Sequence, residues 1–534
     1  MKGLRLLSAV CPSAVAACSG LVLWTAFPPL EYGVLAWFGL VPLLLAFAYA
    51  ERSRQGLWLS WVFGFTYAAL CAHWVNVIDG FSVPAYLVLA CYISLFPTLF
   101  AWLLFRIRQA TAWPLALIAP PLWVLAEFLQ VEVPLLPTPL PLLGYTQYEF
   151  IPLIQIASVT SFYGVSFLIV LVNAALADVL LLLRDRRPGH GSHDASRRLL
   201  AGAVMAAMVF PLAAIAWGTL QLPADGKATE PVLRASLVQA NIPQAIKWQR
   251  SERLNILNRY RDLSLQVTGE QPDLIIWPET SIPDDLKRKR FFSRYVGDLA
   301  GETSAYMLVG SSTGEKGRSA DAGDTHVYNS AFLINPAGEI AGEYAKVMLI
   351  PFGESVPFGP EFPWPEWVLP DKTQLTPGAA IHLLEVPQGR FGVTICWENL
   401  FPGFFRQFVR QGAGFMVNLT NEAWFKDSAA GHMLLASAVF RAVENRVSLL
   451  RSASTGVSAL IDPYGRITDR VQASDGQDLM VAGVLTVPVP AAGKPAFYTR
   501  YGDVFAGICI VWAVLMLLRV RAIGRVVNKG VLES

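Results

Sequence analysis

Three residues carry the chemistry that this sequence offers. Cys396 is the one cysteine between residues 92 and 508, and it follows the apolar run Gly392-Val-Thr-Ile395. Glu279 follows Leu274-Ile-Ile-Trp-Pro278, and Lys346 lies in Tyr344-Ala-Lys-Val-Met-Leu-Ile-Pro-Phe-Gly-Glu354. Taken singly, each has a plain reading: a small core cysteine, a glutamate beside a helix start, a solvated lysine. Together they supply a nucleophile, a base and a cation, the set that covalent acyl chemistry needs. A thiolate is the reactive form, and a nearby ammonium lowers a thiol pKa. A buried glutamate can take the thiol proton and return it to a leaving group, while the ammonium can stabilise an oxyanion. No comparable Ser/His/Asp set is present. His326, His382 and His432 lack metal-ligand spacing, so neither a metal nor another cofactor is expected.

The elements that must position these residues read as an α/β layered domain. Strand patterns occur at 232–239, 273–277, 306–310, 328–334, 391–395 and 415–419, and helical spacing at 249–268, 400–411 and 430–446. Several of the strands are apolar on both faces, which indicates a sheet covered on both sides. Asn335-Pro-Ala-Gly338 has the residue types of a hairpin turn. Ligands bind outside strand ends in open α/β sheets, so the three tips could converge.

Around this domain the chain is greasy. It has 534 residues, 54% hydrophobic and only 15% charged, with a net charge of +2 that gives no case for nucleic-acid binding. Apolar runs long enough for membrane helices are expected at about 7–26, 33–50, 57–76, 84–105, 112–130, 154–183 and 199–218, with an eighth near 503–519. The sixth looks overlong and could begin nearer Phe162. With the N-terminus in the cytoplasm, fifteen Lys and Arg fall on the inside, among them Arg52, Arg54, Arg106, Arg108, Arg184, Arg519 and Arg521. The short outside turns near 28–32, 77–83 and 131–153 hold none. That bias orients the chain and puts residues 219–502 outside the cytoplasm. A lone cysteine in an oxidising compartment has no intramolecular partner and suits a nucleophile. The start, Met1-Lys2-Gly3-Leu4-Arg5 with Val15-Ala16-Ala17-Cys18, has the look of a lipoprotein signal. The greasy run continues through Leu21-Val-Leu-Trp24, which favours a first membrane helix.

The blocks Leu274–Glu279, Lys346 with Pro351-Phe-Gly-Glu354, and Thr394-Ile-Cys-Trp-Glu398 resemble the Glu-Lys-Cys signature of the nitrilase (carbon-nitrogen hydrolase) superfamily. Asn418–Phe425 and Arg441–Arg446 are similar to its later blocks. With seven spans before the domain and one after, nearly the whole chain resembles the bacterial apolipoprotein N-acyltransferases, and Val238–Trp248 is similar to their opening strand and loop. The resemblance implies an eight-helix transmembrane bundle with an extracytoplasmic αββα sandwich. The expected division is a seven-helix membrane domain 1–220, a periplasmic catalytic domain 221–498, and an eighth helix with a cytoplasmic tail at 499–534. It further implies a multi-pass, monomeric inner-membrane enzyme with a phospholipid acyl donor and a diacylglyceryl apolipoprotein acceptor.

The implied catalysis is a ping-pong transfer through a Cys396 thioester, with Glu279 as base and Lys346 supporting the oxyanion. Glu354 and Glu398 would orient that set, and Trp248 would lie over the lipid entrance. Trp397 stands where the family pattern leads one to expect tyrosine. Two other readings stay open on the residues alone: a membrane-tethered amidase or nitrile hydrolase using water as second nucleophile, and a non-enzymatic transport or scaffold protein.

Overall fold

A computed structural model describes residues 11–134, 136–184, 194–223, 230–316, 325–359, 362–365, 367–368 and 374–532. Residues 1–10 of the lipoprotein-like start lie outside these. The chain forms two compact units. One is Met1–Trp74 with Val83–Gln221 and Asp503–Ser534; the other is Val75–Ser82 with Leu222–Gly502.

The first unit is helical. Five helices are long and apolar enough to cross a membrane: Val83–Ala110, Leu115–Glu132, Phe162–Arg184, Arg198–Gln221 and Val504–Ala522. The other three expected spans take different forms. Pro12–Trp24 has 13 residues, the run from Gly33 to Ala46 is broken, and Ser53–Ala72 is long enough but less apolar. The overlong sixth run divides, with a short apolar stretch Ile151–Thr160 preceding the helix that starts at Phe162.

Breaks of this kind leave backbone groups that hydrocarbon cannot solvate, so the protein must satisfy them. Buried and half-buried side chains do so here. Asn173 accepts from Leu40 N–H at 2.9 Å and donates to the Ala36 carbonyl at 2.9 Å. Asp178 accepts from the Leu115 and Ala116 amides at 3.0 and 3.1 Å, capping that helix start. Glu127 accepts from the Leu143 amide at 2.7 Å.

The second unit holds thirteen strands among the described residues: β1 Pro231–Gln239, β2 Leu274–Ile276, β3 Ile282–Asp285, β4 Tyr306–Lys316, β5 Thr325–Ile334, β6 Ile340–Ala345, β7 Leu384–Val386, β8 Gly389–Ile395, β9 Phe415–Thr420, β10 Leu449–Ala453, β11 Ala459–Ile461, β12 Ile467–Arg470 and β13 Gly483–Pro490. One sheet runs β13-β1-β2-β4-β5-β6, with β3 pairing β4; the other runs β12-β11-β10-β9-β8-β7. Each has three parallel strands at its centre, β1-β2-β4 or β8-β9-β10, and antiparallel strands on both sides. The β5–β6 connection is the hairpin expected at Asn335–Gly338, closed by Asn335 N–H to the Glu339 carbonyl at 2.9 Å.

Helices cover the outer faces. Ile256, Leu257 and Tyr260 of one helix and Phe292, Val296 and Leu299 of another pack on Ile275, Met307, Val309 and Phe332 of the first sheet. Helices Pro402–Arg410 and Ala430–Asn445 flank the second. Between the sheets the contacts are partly polar: Ser452 Oγ donates to the Ile276 carbonyl at 3.4 Å, and Ser458 Oγ donates to Gln239 Oε1 at 2.5 Å. The order is helix–sheet–sheet–helix, a nitrilase-type α/β sandwich.

Candidate active site

Glu279 owes its place to the two residues before it. Trp277 is fully buried, stacked on Tyr260 at 4.9 Å and donating from Nε1 to Ser264 Oγ at 2.9 Å. It pins the end of β2 to the helix layer, and Pro278 removes an N–H and ends the strand. The turn then crosses β4 at Gly310. A Cβ there would stand 2.5 Å from Thr280 N and 2.7 Å from Glu279 Cα, so only glycine admits the approach. The Glu279 carboxylate is held on both oxygens: Asn329 Nδ2 donates to Oε1 and the Asn421 amide to Oε2, each at 2.7 Å.

Lys346 follows β6 and is 1% exposed. Its Nζ donates to Glu354 Oε1 at 2.7 Å and lies 3.8 Å from Glu279 Oε1. Burial opposes the charge on Lys346, but the Glu354 and Glu279 carboxylates outweigh it and hold the ammonium above its ordinary range. Glu354 is fixed in turn by the Ile350 amide at 2.9 Å. Asn329 Nδ2 also reaches Glu354 Oε1 at 3.5 Å, so one amide links both carboxylates.

Cys396 follows β8 on a sharp turn and adopts φ +52°, a conformation that non-glycine residues rarely take. Such strain persists only when the surroundings over-determine it, and here Glu398 does much of that. Its carboxylate is fully buried. It accepts from the Val347 and Met348 amides at 2.6 and 3.0 Å, the Tyr344 hydroxyl at 2.9 Å and the Ile395 amide at 2.8 Å. It therefore ties the segment after Lys346 to the backbone just before Cys396. Burial pushes Glu398 up to about 7, against the pull of those amides. Arg441, ion-paired with Glu444 at 2.7 Å, braces the far end of the turn by donating to the Leu400 carbonyl at 3.0 Å.

The electrostatics give the thiol a definite resting form. Burial pushes Cys396 up to about 12, with the Glu279 charge adding to the rise and Lys346 opposing it. The lysine lowers the thiol pKa, as the sequence leads one to expect, but burial and the Glu279 charge outweigh it. A protonated thiol beside a carboxylate needs base-assisted attack.

The structure thus gathers Glu279, Lys346, Glu354, Cys396 and Glu398 around one set of strand tips. Trp397 is half-buried and packs edge-on against Phe401 at 5.5 Å. Trp248 is 46% exposed and joins none of the hydrogen bonds above. Three participants were not singled out from sequence: Asn329, the Asn421 amide, and Lys247, whose buried Nζ donates to the Glu279 carbonyl at 3.1 Å. A polar Asn within the strand pattern 328–334 was the one available signal for Asn329.

Comparison with known proteins agrees over both units. Residues 19–175 match the apolipoprotein N-acyltransferase N-terminal domain and residues 234–492 the carbon-nitrogen hydrolase domain. The apolipoprotein N-acyltransferase of Geobacter metallireducens is 34% identical over 94% of this chain and 94% of its own. That of Chlorobaculum tepidum is 29% identical over 95% of each. Among solved structures, Saccharomyces cerevisiae Nit3, a member of branch 10 of the nitrilase superfamily, aligns with 49% of this chain and 93% of its own at 19% identity and TM-score 0.36. On these matched domains and full-length relatives, the chain belongs to the apolipoprotein N-acyltransferase family.

Proposed function

We propose that the protein moves an acyl chain from a phospholipid to the α-amine of a diacylglyceryl-cysteine at the N-terminus of a lipoprotein, in two steps through Cys396. In the first, Glu279 takes the thiol proton as sulfur attacks the ester carbonyl. Lys346 supports the oxyanion, and Glu279 returns the proton to the departing lysophospholipid. No net proton is released. In the second, the amine attacks the thioester, and Glu279 carries the amine proton to the leaving sulfur. Glu354, Asn329 and the Asn421 amide hold the base and cation in register, Glu398 holds the nucleophile's turn, and Trp248 stands over the lipid entrance.

The observation that carries this reading is the buried Lys346, 2.7 Å from Glu354 and 3.8 Å from Glu279, beside a strained cysteine that rests as a thiol. A fixed cation and a fixed carboxylate flanking a nucleophile suit acyl transfer. The apolar helices suit substrates that stay in a bilayer, since drawing acyl chains into water costs about 0.8 kcal/mol per CH₂. The same reading puts the second unit on the periplasmic side of the inner membrane in a monomeric, multi-pass protein.

Purified protein mixed with phospholipid and no acceptor should release close to one equivalent of lysophospholipid and then stop. Continuous release of free fatty acid would replace transfer by hydrolysis. Release only in the presence of lipoprotein would replace the thioester by direct transfer.

A further inference from the structure

The site contains two lysines in opposite electrostatic settings. Lys346 has a carboxylate on each side. Lys247 ends the short turn Gln244–Lys247, directly before Trp248, and is 2% exposed. Among the described residues its Nζ has one acceptor, the Glu279 main-chain carbonyl at 3.1 Å, and no carboxylate within ion-pair distance. Lysines ordinarily keep the ammonium in water, and a buried ammonium without a paired carboxylate is costly. The titratable groups that act on it are the Glu279 carboxylate and the Cys396 thiol, on loops from different sheets. Burial lowers Lys247 to about 7 against the pull of those two. Lys346 and Glu354, across the site, are committed to each other.

Proton counting distinguishes the two half-reactions. Ester plus thiol gives thioester plus alcohol, with no proton left over. An α-amine near neutral pH is largely an ammonium, with a pKa of roughly 7.7–8.0. Thioester plus ammonium gives amide plus thiol plus one proton. Glu279 carries the proton that passes from nitrogen to sulfur. The other must leave the ammonium before nitrogen has a lone pair with which to attack.

We propose that the neutral amine of Lys247 accepts this proton from the incoming ammonium, making Lys247 a proton acceptor of the second half-reaction only. The N–H of the acceptor is broken and a third N–H forms on Lys247. The proton then passes to solvent, and Lys247 returns to its neutral form before the next acceptor. This inference rests on the acyl transfer proposed above.

The test separates the half-reactions in the full-length protein. Cys396 is first acylated with phospholipid, then a diacylglyceryl-cysteine peptide is added by rapid mixing, across a pH series. Lys247→Met removes the acceptor. Lys247→Arg keeps a donor for the Glu279 carbonyl but is permanently charged. Both variants should lose far less in Cys396 acylation than in transfer, and the acylation that remains establishes that they are folded. Both should transfer about tenfold more slowly near pH 7, the reciprocal of the free-amine fraction that a pKa of roughly 7.7–8.0 leaves there. The deficit should close towards about pH 9, where the acceptor is already a free amine. Acylation slowed as much as transfer, a deficit equal at every pH, or wild-type transfer by Lys247→Arg would overturn the proposal. Failure of wild-type protein to acylate Cys396 would instead remove the underlying transfer reading.

Discussion

At the scale of single residues, the site is defined by how it divides charge. Lys346 is held cationic by two carboxylates, while Cys396 is held as a thiol by burial and by the same Glu279 that would deprotonate it. This has a pH consequence. A thiol pushed up to about 12 is protonated throughout the neutral range. Its thiolate fraction rises with pH and does not saturate near the ordinary thiol value of about 8.5. Alkylation of Cys396 by iodoacetamide should therefore climb about tenfold per pH unit to about pH 10 without a plateau. A plateau between about pH 7 and 9 would mean that the lysine wins and the thiolate is preformed.

At the scale of elements, the strand tips do the positioning and depend on close backbone approach. Gly310→Ala places a methyl group 2.5–2.7 Å from the backbone of Pro278, Glu279 and Thr280. That group must displace the base, and a shift of about 1 Å at a reacting group can cost about 100-fold in rate. We expect such a loss, with destabilisation of about 1–3 kcal/mol from overpacking. Wild-type turnover by Gly310→Ala would show that the Glu279 turn is not held as described. Two of the tips were legible: apolar runs ending at Pro278 and Ile395 marked Glu279 and Cys396, while Lys346 stood out within the stretch Tyr344–Glu354. Asn329, the Asn421 amide and Lys247 were not. Asn421 acts through its backbone N–H, which carries no residue signature. Lys247 is distinguished by burial in tertiary structure, which periodicity does not reveal for one residue in a short turn. The resting form of the Cys396 thiol was not legible for the same reason, since desolvation is a property of the folded site.

At the scale of the whole molecule, hydropathy located the long apolar helices better than it bounded them. The runs at 84–105, 112–130, 199–218 and 503–519 are long apolar helices, whereas 7–26 and 33–50 became short or broken ones. Buried Asn173 and Glu127 and half-buried Asp178 satisfy backbone at breaks and helix starts, and isolated polar residues in greasy runs do not announce such contacts. The basic-residue bias makes its own prediction, independent of the site. A reporter near Gly189 should be cytoplasmic and one near Gly317 extracytoplasmic, both positions lying outside the described residues. If both report the same side, the eight-span arrangement fails. The central claim, that two lipid substrates meet successively at Cys396, is tested most directly by intact mass of the full-length protein. After incubation with a phospholipid of defined acyl chains, the protein should gain the mass of one acyl group, located at Cys396. Adding a diacylglyceryl-cysteine peptide should remove that mass and return it as an amide on the peptide. Acylated peptide formed by protein that never carries the adduct, or an adduct that the peptide cannot remove, would contradict it.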